Sequence, residues 1–346
     1  MKRLSLLVIV FLLLAGGIIY LNQRKTASDK LLSISGTTMG TSYHIKLAPT
    51  AKINLPSLQN QIGSRLADID SKMSTYIKDS EVSRFNRHPS ESWMPISTET
   101  MAVIDAAQEI SQLSHGAFDI TIGKLVNLWG FGPTINIDTI PDGHAIKTLL
   151  SQVGYQRLEL RQAPPGLRKS SAALSLDLSA IAKGYAVDAI AKLLIENQIS
   201  NFLVEIGGEI ITHGYKQQQK LWVVGIESPV AEQRSIRKRL HLRGVAMATS
   251  GDYRNYFEEQ GVRYSHTIDP ATGYPITHRL ASVTVIDRSC MRADALATAI
   301  TVMGPSKGLE FAEQQQLAIF MLVKQNGVFT EKYSSAFESY LNAGKD

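Results

Sequence analysis

The sequence has a single cysteine, Cys290, in 346 residues. One thiol cannot form a disulfide within the chain, and it cannot supply the several thiolates that a cysteine-based zinc site or an iron–sulfur cluster requires. Any metal ion bound by this chain must therefore be held by harder ligands, such as carboxylate, hydroxyl and carbonyl oxygens.

The two common glycine-rich signatures of nucleotide binding are also missing. No G-x-G-x-x-G follows a predicted strand, and no G-x-x-x-x-G-K-[ST] occurs. The formal net charge of +5 is mild, and outside residues 234–243 the lysines and arginines are scattered and form no stripe with aromatic residues. Nucleic acid is therefore a poor candidate partner, and a nucleotide would have to be held in another way.

The composition is that of a globular protein, with 44% hydrophobic and 19% charged residues. Predicted helices and hairpin-like strands alternate irregularly along the chain, which favours an α+β class over a doubly wound parallel sheet. The predicted helices cover residues 57–73, 98–115, 142–153, 181–195, 293–303 and 306–315. The predicted strands lie within residues 33–47, 158–160, 173–178, 202–206, 221–226, 239–242, 282–286 and 318–323.

The amino terminus carries an apolar run over residues 4–21, preceded by Lys2 and Arg3 and stopped by Asn22 to Lys25. Such a segment targets the membrane, and its length just reaches what a spanning helix needs. We expect a retained anchor, with a cleaved leader as the alternative. Residues 1–30 are thus predicted to be an anchor and linker, and residues 31–346 the globular domain.

Asp294 and Thr298 are four residues apart in a predicted helix, so their oxygens lie on one face, one turn apart. That pair can offer two hard ligands to a magnesium ion, which commonly bridges to substrate phosphate. The spacing alone also fits a helix cap and an exposed threonine.

His266 precedes Asp269 to Gly273, which have the residues of a tight turn. A histidine there can face a pocket and act as a general base, although a structural hydrogen-bonding role is also compatible with the sequence. Between Asp177 and Tyr185 a strand end leads into a helix start, where free backbone groups and Lys183 together suit a pyrophosphate.

Taken in order, these segments resemble the ApbE family of flavin transferases. The motifs that carry the resemblance are Thr38 to Thr41, Met73 to Tyr76, Ser83 to Asn86, Gly116 to Thr121, Asp177 to Asp188, Val204 to Glu209, Thr249 to Tyr253, His266 to Gly273 and Ala293 to Thr298. The resemblance covers nearly the whole chain after residue 30. It implies an α+β, two-lobed single domain with mixed or antiparallel sheets and packed helices.

The resemblance also implies roles for individual residues. His266 is the implied base, and the implied metal ligands are Asp294, Thr298 and the carbonyl oxygen of Ala180. Some relatives have a carboxylate immediately before the threonine, where this chain has Ala297, so its metal site would rely more on backbone oxygen and water. The implied FAD contacts are Met39, Tyr76, Ala117, Phe118, Asp119, Asp177, Lys183 and Ile268.

The implied reaction is a magnesium-dependent transfer of FMN from FAD to a threonine of an acceptor flavoprotein, with release of AMP. The acceptor is expected to be a membrane redox subunit. Two alternatives remain open: a magnesium-dependent FAD pyrophosphatase, and a non-catalytic flavin-binding assembly factor. Gly17 stands where lipoprotein members have a cysteine, which excludes lipidation there and leaves the inner membrane, with the domain in the periplasm, as the expected location.

Overall fold

The computed structural model describes residues 31–49, 53–89, 91–133, 140–229, 235–251, 256–259 and 262–343. The helices are α1 (Leu55–Met73), α2 (Glu81–Arg87), α3 (Thr98–Leu113), α4 (Gly123–Leu128), α5 (Gly143–Leu150), α6 (Ala182–Glu196), α7 (Cys290–Gln314) and α8 (Glu338–Asn342). The strands are β1 (Leu32–Thr38), β2 (Thr41–Leu47), β3 (Met94–Pro95), β4 (Leu158–Arg161), β5 (Gly166–Lys169), β6 (Phe202–Ile206), β7 (Glu209–His213), β8 (Trp222–Glu227), β9 (Ile236–Leu242), β10 (Ala246–Gly251), β11 (Tyr256–Glu259), β12 (Val262–Ser265), β13 (Leu280–Asp287), β14 (Ala318–Gln325) and β15 (Val328–Tyr333).

The main sheet has eight strands in the order β1-β2-β6-β7-β10-β13-β14-β15, and its paired strands run antiparallel. Residues 33–47, where the alternation predicts a strand pair or a bulged strand, form the antiparallel pair β1 and β2. They are joined by Met39 and Gly40, whose φ values of 48° and 72° suit a two-residue type I′ turn. Smaller sheets are β3-β5-β4, β8-β9 and β11-β12.

Both faces of the main sheet are covered, which explains why its inner strands are apolar at successive positions. On β6, Phe202 and Val204 face the principal core with helices α1, α6 and α7, while Leu203 faces a second core beneath the β8–β9 hairpin. On β14, Met321 likewise faces the principal core, and Phe320 faces the second core. The result is a layer of helices, a sheet and a hairpin, which confirms the α+β class.

A third, smaller core lies at one end of the helical layer. It is built from Leu125, Trp129, Ile146 and Ile268, all buried, and the Trp129 indole N–H donates to the Gly273 carbonyl at 2.8 Å. The glycines of residues 123–133 favour a loop around Trp129, but this stretch contains the short helix α4. This core supports one wall of the cavity described below.

Residues 173–178, predicted as a strand, are not one. Their backbone is paired without a neighbouring strand: the Asn86 side chain bonds both the N–H and the carbonyl of Leu176, and the Asp177 N–H donates to the Ile120 carbonyl. The two helices predicted on either side of residues 304–305 are confirmed as the two parts of α7, which is interrupted at Gly304 (φ 79°, ψ 179°) directly before Pro305.

The predicted membrane segment, residues 4–21, and Gly17 lie outside the described residues. Among the helices of the described part, none combines the length and the apolar character needed to cross a bilayer.

Candidate active site

One large cavity, with a volume of about 750 Å³, opens beside the amino-terminal ends of α6 and α7 and the β6–β7 turn. Its wall brings together residues predicted from segments far apart in the chain. These are Tyr76, Ala117, Phe118, Asp119, Asp177, Ala180, Lys183, His266, Ile268, Asp294 and Thr298. Met39 is the exception, because its side chain, in the β1–β2 turn, packs against the principal core.

Helices α6 and α7 cross at very close range beneath this cavity. A Cβ atom added at Gly184 would lie 2.4 Å from the Cys290 carbonyl oxygen, so only glycine permits the crossing. Asp294 is buried on α7, and its Oδ2 accepts a hydrogen bond from the Gly184 N–H at 3.0 Å. Asp294 therefore caps the first turn of the neighbouring helix, a role that sequence spacing could not distinguish from a cap of its own helix.

The capping is reciprocal, because Asp188 of α6 caps the start of α7. Its carboxylate accepts from the Ser289 hydroxyl at 2.7 Å and from the backbone N–H groups of Cys290 and Met291 at 2.9 and 3.0 Å. A carboxylate at a helix amino terminus also interacts favourably with the helix dipole. These two aspartates fix the relative position of the helices that carry Lys183 and Asp294.

Lys183 forms an ion pair that the sequence analysis did not predict. Its ammonium lies 2.7 Å from Oε1 of Glu209, whose side chain is only 3% exposed. Glu209 begins β7 directly after the Gly207–Gly208 turn, and both glycines have positive φ. A Cβ at Gly207 would also approach the Lys183 side chain to 3.3 Å, so this turn keeps the two charged side chains together.

Burial and neighbouring charge shift the pKa values of this group. Burial raises the pKa of Glu209 to about 7, Asp294 reinforces the rise, and Lys183 opposes it. Burial likewise raises the pKa of Asp294 against the opposing effect of Lys183. Burial alone would lower the pKa of Lys183, but Glu209 and Asp294 outweigh it and the pKa is raised. Ionisable side chains whose pKa values are shifted by burial and by one another, and which share a cavity, are typical of functional sites.

The residues beside this cluster suit a hard divalent cation. No group of three or more histidines, cysteines, aspartates or glutamates is arranged as a metal site within the ranges that the structure describes. However, Thr298 and Ala180 also line the cavity near Asp294, and magnesium accepts hydroxyl and carbonyl oxygens as readily as carboxylates. In addition, Oε2 of Glu209 is buried and has no hydrogen-bond partner among the residues that the structure describes, as expected where a cation belongs.

The other side of the cavity is aromatic and carries His266. The His266 ring meets the Phe131 ring edge-on, with centroids 6.3 Å apart. Tyr76 stands at the mouth, 70% exposed, and its hydroxyl donates to the Phe131 carbonyl at 3.4 Å. The tight turn predicted after His266 is confirmed, since the Gly273 N–H donates to the Asp269 carbonyl at 2.8 Å. Aromatic rings and an imidazole here suit a flat heterocyclic ligand.

Two predicted FAD contacts also organise the local backbone. Asp119 is buried, and its oxygens accept from Thr121 (N–H and hydroxyl, 2.7 Å each) and from the Tyr155 N–H (2.8 Å). Oδ1 of Asp177 accepts from the Ser179 N–H at 2.8 Å, just before Ala180. Whether these residues contact FAD remains a prediction.

Glu209 is the functional candidate that sequence reasoning missed, although a signal for it existed. A Gly-Gly pair between two apolar strands predicts a two-residue hairpin turn. In such a hairpin Glu209 pairs directly with Ile206, as observed, and directly paired residues point to the same face. Because Ile206 is a buried type of residue, Glu209 should be buried with it.

Comparisons with known proteins identify relatives of this chain in sequence and in fold. The model of the ApbE family matches residues 39–321. A protein of Vibrio cholerae serotype O1 named FAD:protein FMN transferase is 44% identical over 310 residues, covering 89% of this chain and 92% of the relative. The solved structure of flavin transferase ApbE from Vibrio cholerae has a TM-score of 0.84 at 42% identity, covering 90% of this chain and 99% of that one. The apo form of flavinyl transferase ApbE from Pseudomonas stutzeri also has a TM-score of 0.84, at 39% identity, with 91% and 98% covered. This chain therefore belongs to the ApbE family.

Proposed function

We propose that this chain is a magnesium-dependent FAD:protein FMN transferase that attaches FMN to a threonine of an acceptor flavoprotein and releases AMP. The observation that carries the proposal is the single cavity in which Asp294, Thr298 and Lys183 face the same space as His266. The names of the relatives support the transferase class. The threonine and the leaving group are implied by the resemblance to the family, and the magnesium requirement is also supported by the hard oxygen ligands that line the cavity.

The charged and polar residues of the cavity have different roles in binding the substrate and the cation. Lys183, held by Glu209, offsets the negative charge of the pyrophosphate of FAD, while Asp294, Thr298 and the Ala180 carbonyl would hold the cation. A bound magnesium ion would supply further charge neutralisation for phosphoryl transfer. Tyr76 and Phe131 lie where they can cover an aromatic ring.

The covalent step balances without a redox partner. The acceptor threonine hydroxyl attacks the phosphorus on the FMN side of FAD, an oxygen–phosphorus bond forms, and the pyrophosphate bond to AMP breaks. His266 takes the hydroxyl proton, and AMP leaves with the bridging oxygen. The product is FMN joined to the acceptor by a phosphoester.

One incubation separates this proposal from its alternatives. The full chain is mixed with FAD, magnesium and a threonine-containing acceptor peptide, and peptide mass, AMP and free FMN are measured. Transfer yields AMP and a peptide heavier by one FMN residue, a pyrophosphatase yields AMP with free FMN, and a flavin-binding assembly factor yields neither. Full transfer in excess chelator would contradict the magnesium requirement.

The role of His266 is tested by His266→Ala. General base catalysis contributes roughly 10²- to 10⁴-fold, so we expect a loss of that order in transfer rate while FAD still binds. His144→Ala serves as the control, because His144 is exposed and does not line the cavity. A transfer rate for His266→Ala equal to that of the control would contradict the assignment.

We also propose that residues 4–21 anchor the protein in the inner membrane, with the catalytic domain in the periplasm near a membrane-bound acceptor. The apolar run and its basic flank support this location. Sequencing the amino terminus of the mature protein tests it, since a protein that begins beyond Leu21 would exclude the anchor.

A further inference from the structure

Within the described ranges of the chain, only one of the two oxygens of the Glu209 carboxylate has a polar partner. Oε1 accepts from the Lys183 ammonium, whereas Oε2 is buried and has no hydrogen-bond partner in the described part of the chain. Buried carboxylate oxygens are normally satisfied, because leaving one unpaired in a low-dielectric site is unfavourable. An unpaired buried oxygen of this kind, on a residue that lines the cavity, points to a ligand.

The charge of the surrounding cluster indicates the sign of that ligand. When Glu209 and Asp294 are both ionised, as ligands of a cation are, and Lys183 is protonated, the three side chains carry one net negative charge. A divalent cation would reverse the sign and leave the cluster positive towards a pyrophosphate. A neutral ligand or an anion would leave the excess negative charge in place.

The backbone holds the Glu209 carboxylate in a defined position. The Gly207 N–H donates to the Ser42 carbonyl at 3.0 Å, and the Gly208 N–H donates to Oε1 of Glu205 at 2.8 Å. Both ends of the β6–β7 turn are therefore fixed, and Glu209 enters the buried face opposite Ile206. Such positioning is what a metal ligand requires.

We propose that Glu209 is a further ligand of the divalent cation, reaching it through Oε2 either directly or through one water, while Oε1 keeps Lys183 directed at the phosphates. The proposal rests on the metal dependence of the proposed function. It assigns to Glu209 a role beyond the set of Asp294, Thr298 and the Ala180 carbonyl.

The test measures metal binding directly and not through turnover. Manganese, a paramagnetic substitute for magnesium, is titrated into the full chain saturated with FAD, and free Mn²⁺ is followed by electron paramagnetic resonance. Glu209→Gln keeps the shape and a hydrogen-bond acceptor for Lys183 but removes the charge. We expect its Mn²⁺ dissociation constant to rise at least tenfold.

Two comparison variants separate a ligand from a residue that only holds the lysine. Lys183→Met should leave Mn²⁺ affinity unchanged or tighter at saturating FAD, because it removes a nearby positive charge. A loss of Mn²⁺ affinity in Lys183→Met as large as in Glu209→Gln would overturn the ligand role. Glu227→Gln removes another acid that lines the same cavity and should change the Mn²⁺ affinity by less than twofold.

The remaining outcomes are equally distinct. Wild-type affinity in Glu209→Gln overturns the inference and leaves the proposed function intact, whereas a wild-type protein that binds no Mn²⁺ with FAD present overturns both. If Glu209→Gln does not fold, Glu209→Asp replaces it. The shorter aspartate carboxylate cannot reach Lys183 and the cation together, so we expect the Mn²⁺ dissociation constant to rise at least threefold. An unchanged Mn²⁺ affinity would reject Glu209 as a ligand.

Discussion

The cap that Asp188 provides for α7 can be tested by replacing it with alanine. The change removes the acceptor shared by the Ser289 hydroxyl and the N–H groups of Cys290 and Met291. Asp188 is half-buried, so these bonds are not simply exchanged for bonds to bulk water, and the same burial raises the pKa of its carboxyl. Asp188→Ala should therefore loosen the start of the helix that carries Asp294.

The size of the effect follows from the groups left without a partner. Each unsatisfied buried donor costs about 1–3 kcal/mol, and loss of an amino-terminal cap typically costs about 1 kcal/mol, up to about 2. Asp188 is half-buried beside a small surface cavity, so water can enter and offset part of the loss. We expect Asp188→Ala to lower the free energy of unfolding by about 2–3 kcal/mol, and Asp188→Asn, which keeps one acceptor oxygen, by about half as much.

The measurement is urea unfolding followed by circular dichroism, with Glu196→Ala as the matched control. Glu196 is an exposed acid on the same helix, and its contact with Lys192 is long, at 3.9 Å. Its removal should change the stability by less than about 0.5 kcal/mol. If Asp188→Ala unfolds within about 0.5 kcal/mol of this control, the reciprocal caps do not stabilise the helix pair as argued.

Two further substitutions test polar contacts elsewhere in the helical layer. Hydrogen bonding from Arg65 holds the pKa of the half-buried Glu99 at about 2, below its ordinary value, so its stabilisation is present above about pH 4.5 and is lost as the pH falls towards 2. Glu99→Gln should lower the free energy of unfolding by about 1 kcal/mol at pH 7 and by about a quarter of that at pH 2.5, where a carboxyl with a pKa of about 2 is still partly ionised. Urea unfolding at both pH values measures the difference, and an equal loss at both would contradict the predicted pH dependence. At the break in α7, Pro305 has no N–H for the buried Thr301 carbonyl, and Nε2 of His278 donates to it instead at 2.7 Å. His278→Phe should therefore cost about 1–3 kcal/mol of unfolding free energy, whereas wild-type stability would show that the carbonyl needs no replacement donor.

The features predicted correctly from sequence depend on neighbours along the chain. The four-residue spacing of Asp294 and Thr298 places both on the cavity side of α7, and the helix breaks at Gly304, between the two predicted helices. The β1–β2 pair follows from alternating residues around Met39 and Gly40. These signals are local, because helix periodicity, strand alternation and turn chemistry are set by a few consecutive residues.

The order of the eight strands and the partners of the buried charges were decided only by the tertiary structure. Asp188 and Asp294 each cap a helix about a hundred residues away in the chain, and Glu209 pairs with Lys183 across two different elements. Residues 173–178 have the composition of a strand, but Asn86 and Ile120 satisfy their backbone instead of a neighbouring strand. The sequence by itself determined the family, the α+β class and most of the residues that meet in the cavity. Which charges are buried, and against which partner, was decided by the tertiary structure, because desolvation and ion pairing depend on groups that only folding brings together.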